Sequence, residues 1–380
     1  MADYGTRQQT TQVWLALPSK PAAVNKGFQN VSTSTLNWFT KDDGRKLPVS
    51  DDFLLPYLTP TSPGTNYWEP PPPENTEALR REDGRVLLQL HQIIDLLVRT
   101  GTDLKNKTLL DIGTGNGMIP RLILHYCDIK SAVGIDPYLD GEHLSSWQAH
   151  DHGDLFRELT GFIDTYCKDE MDFDRYAHMT GYQDFTIRPA RVPLKSQGQK
   201  QFRFEKIGAH DLGDLNEKFD IFYAKAIDHI PDWPGIFKAC DAAANKDALI
   251  IIKHFSFFSF LGPHRYSTTN IPFGHLLLTD DEYRRFAREF HTARFEEMID
   301  FYFNGLAYPR TTMQQMVMMA AANGFTLHAV INEPSRNVEK LLQLTDAVPD
   351  FWNIVRDVNP TVTVEEMLSG RYHIVFRKTH

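Results

Sequence analysis

The 380-residue sequence predicts an α/β fold with a mostly parallel sheet covered by helices on both faces. Three features lead there. Strand-length apolar runs alternate with stretches of helical periodicity. The runs are continuously apolar, as in "TLLDIG" and "DALIIIKHF", the mark of strands buried on two sides. At "LLDIGTGNGMIPRLIL", residues 109 to 124, one run passes through three alternate glycines straight into a helical pattern. A 42% hydrophobic content supports a sizeable core, and a 12% aromatic share argues against disorder.

Residues 1 to 80 read as an irregular segment wrapping or capping the core. "YLTPTSPGTNYWEPPPPEN" is loop or polyproline, yet Trp14, Phe28, Trp38, Phe39, Phe53, Tyr57 and Trp68 are too many aromatics for a free tail. Residues 81 to 380 read as one domain. It opens in a helix on which Val86, Leu87, Leu90, Ile93, Ile94 and Leu97 recur at helical spacing, with Gly101 beyond its end. "TLLDIG", "SAVGIDPY", "QFRFEKIGAHDL" (ending near Gly208), "KFDIFYAK" and "DALIIIKHF" supply five strands. A helix over Pro234–Ala244 lies between the last two. Thr311 or Thr312 caps a helix that Asn323-Gly324 stops, with Met313, Met316, Val317 and Ala320 as its core stripe. "FTLHAVIN" and "RYHIVFRKT" are the last two strands.

Two long insertions, at about 140–200 and 256–311, leave the carboxyl ends of strands, where open α/β sheets bind ligands. They are expected to form helical lids over a substrate pocket. Thr279 followed by Asp280, Asp281 and Glu282 reads as a capped helix start.

A formal net charge of −9 suits a phosphate backbone poorly, so nucleic acid is not an expected partner. No apolar run is long enough to span a membrane: "ALIIIKHFSFFSFLG" is broken by Lys253 and His254. The three cysteines, Cys127, Cys167 and Cys240, form no framework and point to a reducing compartment. The polar N-terminus has no apolar signal core. A cytoplasmic location is therefore expected, and a homodimer is left open.

Glycines at 113, 115 and 117 let backbone approach a ligand that a Cβ would block. The spacing is not the GxGxxG of dinucleotide sites, and Asp111, two residues earlier, would repel a diphosphate. A ligand with an ammonium and no phosphate fits better. "LLDIGTGNG" resembles the first motif of the class I S-adenosylmethionine-dependent methyltransferases. The resemblance implies a seven-stranded Rossmann-like sheet, mostly parallel with a reversed C-terminal strand, and S-adenosylmethionine as cofactor. It implies that Asp111, Gly113, Thr114, Gly115, Asn116 and Gly117 lie against the methionine part of the cofactor. Asp136, with Pro137 beside it in "VGIDPY", takes the place of the acid that holds the ribose hydroxyls. Asp211 with His210 in "IGAHDL" takes that of the adenine contact. "AKAIDHIPDW" resembles the stretch under the methyl donor and places Lys225 there. It covers about residues 85–255 and 312–378, leaving the N-terminal segment and both insertions without a guide.

Methyl transfer from a sulfonium is an in-line displacement in which proximity supplies much of the rate. A hydroxyl acceptor gains from a histidine base, and His229 and His254 are the two candidates. His264, Arg265 and His275 are candidate substrate contacts from the second insertion, with plain structural roles as the alternative. Arg265 and Arg310 could each pair a substrate carboxylate. Tyr223 could line the site. Phe255, Phe257, Phe258 and Phe260 could wall an apolar pocket or simply bury the insertion. No metal is expected. Asp228 could be a ligand, but strand 5 ends without the Asp-Asn pair of the cation-dependent members, and His143, His150, Asp151, His152 and Asp154 match no zinc spacing. The expected function is methylation of a small molecule or saccharide, on oxygen. N- or S-methylation, or a non-catalytic module of the same fold, is the alternative.

Overall fold

The computed structural model describes residues 12–15, 37–57, 76–137, 152–166, 196–197, 200, 202–225, 227–260, 262–305, 310–335 and 338–379. Its centre is a sheet of seven strands: β4 (Thr108–Ile112), β5 (Ser131–Ile135), β6 (Phe202–Glu205), β7 (Phe219–Ala224), β8 (Ala244–His254), β9 (Phe325–Pro334) and β10 (Ser369–Lys378). Their order is β9-β10-β8-β7-β4-β5-β6. The pairs β4–β5, β4–β7, β5–β6 and β7–β8 are parallel. Only β10 is reversed, antiparallel to both β8 and β9. An eighth strand, β1 (Gln12–Leu15), adds in parallel to the outer edge of β9. The expected irregular N-terminal segment therefore contributes a strand, and a hairpin of β2 (Asn37–Thr40) and β3 (Lys46–Val49) as well.

Because alternate residues face opposite sides, the apolar strands build two cores. Leu109, Tyr223, Ile251 and Val375 face helices α1 (Thr76–Arg99), α2 (Met118–Tyr126) and α3 (His152–Tyr166). Leu110, Phe222, Ile250 and Ile374 face the helices Trp233–Ala243 and Met313–Ala322. Met316 and Ala320 of the second helix are buried, as their spacing implies. Thr312 caps that helix in a capping box with Gln315.

A third core lies outside the sheet. Phe257, Phe258, Phe260, Phe273 and Phe286 of the second insertion pack with Phe39 and Leu47 of the hairpin and with Phe351 and Ile354. Phe257, Phe258 and Phe260 thus bury the insertion rather than wall a pocket. Lys41 of the hairpin turn is buried, donating to the Leu277 carbonyl and pairing with Glu282. Glu282 also completes the capping box with Thr279. The acidic run therefore starts a capped helix and also anchors the N-terminal hairpin.

Two expectations need correction. β6 ends at Glu205, not near Gly208, where the chain has turned into the 3-10 turn Ala209–Leu215. The segment boundary expected at residue 80 lies inside α1. Between the last two strands stand the helices Val338–Asp346, Phe351–Val358 and Val364–Leu368. Their apolar faces fill the third core, so they depend on the insertion they cover. His143, His150 and Asp151 lie outside the described residues, as do the side chains of His152 and Asp154.

Candidate active site

β4 ends at Ile112, and the chain turns through Gly113, Thr114, Gly115, Asn116 and Gly117 into α2. The three glycines have φ values of 67°, 56° and 68°, the left-handed region that side chains resist. A Cβ at Gly117 would also lie 2.7 Å from the Phe202 ring, whereas one at Gly115 would meet no described residue within 4 Å. Among the described residues Gly115 thus faces open space. The loop is strapped to the end of β5: the N–H groups of Gly113 and Thr114 both donate to the Ile135 carbonyl at 3.0 Å. The Gly115 N–H donates to Asp136 Oδ2 at 3.0 Å, and the Met118 N–H donates to Asn116 Oδ1 at 3.1 Å. Asp136, half-buried after β5, therefore holds the loop, and Pro137 follows it exposed.

Asp111 is buried and accepts from Thr114 Oγ1 at 2.7 Å. Burial pushes its carboxyl up to about 7, and the nearby charge of Asp136 adds to the rise. The Thr114 hydrogen bond and the positive charge of Lys225, exposed at the end of β7, work against it. Tyr223 stands level with Asp111 on β7, and its hydroxyl accepts from Gln89 of α1. Burial and then the Asp111 charge hold the phenol well above its ordinary value.

Further along the same sheet face, Lys253 donates to Gln92 Oε1 at 3.4 Å and Gln92 donates to Glu333 Oε1 at 3.1 Å. His373 Nε2 meets the same Glu333 oxygen at 3.0 Å. Burial alone would raise Glu333, but His373 and the neighbouring cations hold it below the usual carboxylate range. A polar stripe thus runs under α1 at the carboxyl edge of the sheet.

The remaining candidates separate. Asp211 is exposed in the turn Ala209–Leu215. His210, in the same turn, has Nε2 3.3 Å from Asp232 Oδ2. Asp232 also caps the helix Trp233–Ala243 through the Gly235 N–H. His229 is half-buried at the end of the 3-10 turn Ile227–His229. His254 ends β8, fully buried, and its Nδ1 is hydrogen-bonded to Asp228 Oδ1. The other Asp228 oxygen accepts the Phe255 N–H at 3.2 Å. The His254 ring meets Trp233 edge-on at 5.2 Å and stacks on Tyr372 at 6.4 Å.

In the second insertion His264 is exposed, with φ 59°, and stacks on Tyr266 at 5.4 Å. Beside it, Phe301 opens a single turn of π-helix, a feature common at functional sites. His275 belongs to the third core. Burial pushes its imidazole down to about 3, and it packs edge-on against Phe257 at 5.4 Å. Arg310 donates to Asp280 Oδ1 at 2.6 Å, so its guanidinium already has a carboxylate. The side chain of Arg265 lies outside the described residues.

The structure therefore unites the glycine loop with Asp111 and Asp136, and joins His254 to Asp228; it does not bring His275 to either group. Gln89 and Gln92 escaped the sequence reading. Their signal was two amides on the apolar stripe of α1. Asp228 was read only as a possible metal ligand.

A family model described as a methyltransferase domain matches residues 86–330. Among solved structures, a cyclopropane synthase from Mycobacterium tuberculosis is 18% identical, with a TM-score of 0.36 over 87% of this chain and 94% of that one. Magnesium protoporphyrin IX methyltransferase from Synechocystis, solved with bound SAH, is 11% identical, with a TM-score of 0.38 over 82% of this chain and 91% of that one. Likeness at this level says nothing about substrate. No curated protein matches the chain.

Proposed function

The chain belongs to the methyltransferase-domain family, and from that premise we propose that it transfers a methyl group from S-adenosylmethionine to a small molecule or saccharide, on oxygen. The observation that carries the cofactor half is the loop after β4, left-handed at three glycines and strapped to Asp136, with a buried Asp111 behind it. The residues present fit the group. A carboxyl held near 7 by burial is stabilised as an anion by a cation, so Asp111 favours an amino-acid ammonium and disfavours a phosphate. The open space over Gly115 lets backbone lie against that ligand. Asp136 offers carboxylate oxygens to a pair of vicinal hydroxyls, with Pro137 exposed beside it. His210 and Asp211 stand after the next strand, for the adenine end.

Bound there, S-adenosylmethionine supplies a methyl carbon activated by its sulfonium. The protein's share is to hold an acceptor in line with that carbon and to take up its proton. His229 and His254 are the candidates for the second task. Lys225 stands with the cofactor candidates at the end of β7, and His264 and Arg265, with the half-buried aromatic stack around His264, are the candidate acceptor contacts. The net charge of −9 supports a compact acceptor over a nucleic acid.

Calorimetric titration with S-adenosylmethionine, with NAD in parallel, tests the reading. Micromolar binding of the sulfonium and none of NAD is expected. Silence with the sulfonium beside a clear NAD signal overturns it. Binding without turnover across a broad acceptor panel would move the chain to a non-catalytic, cofactor-sensing role.

A further inference from the structure

We infer that the acceptor carries a carboxylate and that Arg371 is the residue that receives it. The inference deepens the methyl-transfer reading above and rests on it. Arg371 lies in the first turn of β10, at the carboxyl edge of the sheet, opposite Glu333 of β9. It is half-buried, so solvent reaches it. Its guanidinium sits over the half-buried Phe255 ring, 4.7 Å from the centroid. Among the described residues that ring is its partner, and no carboxylate stands within ion-pair distance. Arg45, Arg99, Arg203, Arg285 and Arg310, by contrast, each pair with an aspartate or glutamate. A guanidinium presents five donors in a planar fork. A fork left open beside an aromatic ring suits a planar anion.

The neighbours set the charge of that anion. Lys253 on β8 and His373 on β10 are paired in register, and Arg371 and Glu333 are paired beside them. The charge of Arg371 is felt at Tyr223, Glu333 and His373. Glu333 is already engaged, since Gln92 and His373 both meet its Oε1. Burial holds His373 below its ordinary value, so it adds no charge at neutral pH. The positive charges of Arg371 and Lys253 both act on the one carboxylate, Glu333. One positive charge is left over. A monoanion balances it, whereas a phosphate dianion would exceed it.

The placement agrees. β10 is separated from β4 by β8 and β7, about 14 Å across the sheet at the usual strand spacing. The glycine loop and Asp111 stand at one end of this stretch of the edge, and Arg371 stands at the other. That separation sets Arg371 apart from the methionine end of the cofactor, where carboxylate and ammonium share one carbon atom. The acceptor's carboxylate is a handle. With its lone pairs spent on the fork it is a weak nucleophile, so another oxygen of the acceptor takes the methyl group. The acceptor is then a compact hydroxy acid. A net charge of −9 repels anions at a distance, and the local positive excess is what selects one.

Nitrogen-15 spectra of the arginine-labelled full chain, loaded with S-adenosylhomocysteine, test this directly, with Arg371→Lys assigning the signal. Benzoate is the probe, benzamide its uncharged match and inorganic phosphate the dianion. A saturable shift of the Arg371 Nε signal with benzoate, and none with benzamide, is expected. No shift with benzoate, or tighter binding of phosphate, overturns the inference. Calorimetry with S-adenosylhomocysteine separates it from the reading it rests on. No binding by the wild type sinks the methyl-transfer reading itself; binding without a benzoate response sinks only the inference. Affinity in Arg371→Gln within about twofold of wild type is expected, because a group that holds the acceptor adds nothing to cofactor binding. A loss of about tenfold or more would give Arg371 to the cofactor's own carboxylate and overturn the assignment. In a panel that pairs each hydroxy acid with its amide, turnover should favour the acid. Arg371→Gln should raise KM for the acid about tenfold or more with kcat little changed, and leave the amide unaffected. Equal turnover of acid and amide by the wild type also overturns it.

Discussion

Asp136 serves two ends at once. Its carboxylate straps the glycine loop through Gly115 and faces the proposed ribose hydroxyls. Asp136→Ala should therefore weaken S-adenosylmethionine binding by about tenfold or more, with the melting temperature little changed, since losing one exposed-side hydrogen bond costs about 1 kcal/mol. Full-strength binding by calorimetry would remove the ribose assignment. Asp111 makes a pH prediction. Its carboxyl titrates near 7 because of burial, so below that pH the empty site is largely protonated. Binding an ammonium then requires a proton to leave. Affinity should rise as pH increases from about 6 to 8 and level off above, and Asp111→Asn should be weaker throughout and flatter. A wild-type profile without slope would refute the ion pair.

Gly117→Ala tests the loop as part of an element. The new Cβ faces the Phe202 ring at 2.7 Å and a φ of 68°, so a loss of about 1–3 kcal/mol by denaturant unfolding is expected. The hairpin and the insertion meet through Lys41 and Glu282, both buried. Lys41→Ala leaves Glu282 charged without its partner, and about 3 kcal/mol of stability should go with it. An unchanged denaturation midpoint would mean the hairpin is not anchored there. At this scale the capped start at Thr279 was legible beforehand, because a cap and its third residue are local in sequence; at the later helix the cap, left open between Thr311 and Thr312, falls to Thr312. The helices between β9 and β10 were not. Their apolar faces are completed by Phe257 and Phe273 about eighty residues earlier, a partnership no local period announces.

Across the whole molecule, buried histidines contribute to acid behaviour. Burial pushes His91 and His291 down to about 4 and His275 to about 3. Between those values and about 6.5 the unfolded chain binds protons that the folded one refuses, so stability rises with pH through that window. Their contribution is complete above about 6.5 and is lost as pH falls toward 3. Asp111, raised by burial, acts in the opposite sense between about 4 and 7, but it is one group against several, since burial lowers His373 and His328 as well. Unfolding curves at pH 7 and 4.5 should differ by a few kcal/mol, and His275→Phe should shrink the difference; identical curves would contradict the neutral burial of these rings. The succession of strands along the chain, the glycine loop and Asp111 before it were legible in the amino-acid string, because period and turn chemistry are properties of neighbouring residues; the resemblance added Asp136. Which carboxylate meets which histidine was not. Asp228 and His254 leave different strands, and only the parallel pairing of β7 with β8 sets them side by side. The same holds for the edge strand β1 and for the third core, where segments from both ends of the chain share apolar surface that no one of them could bury alone.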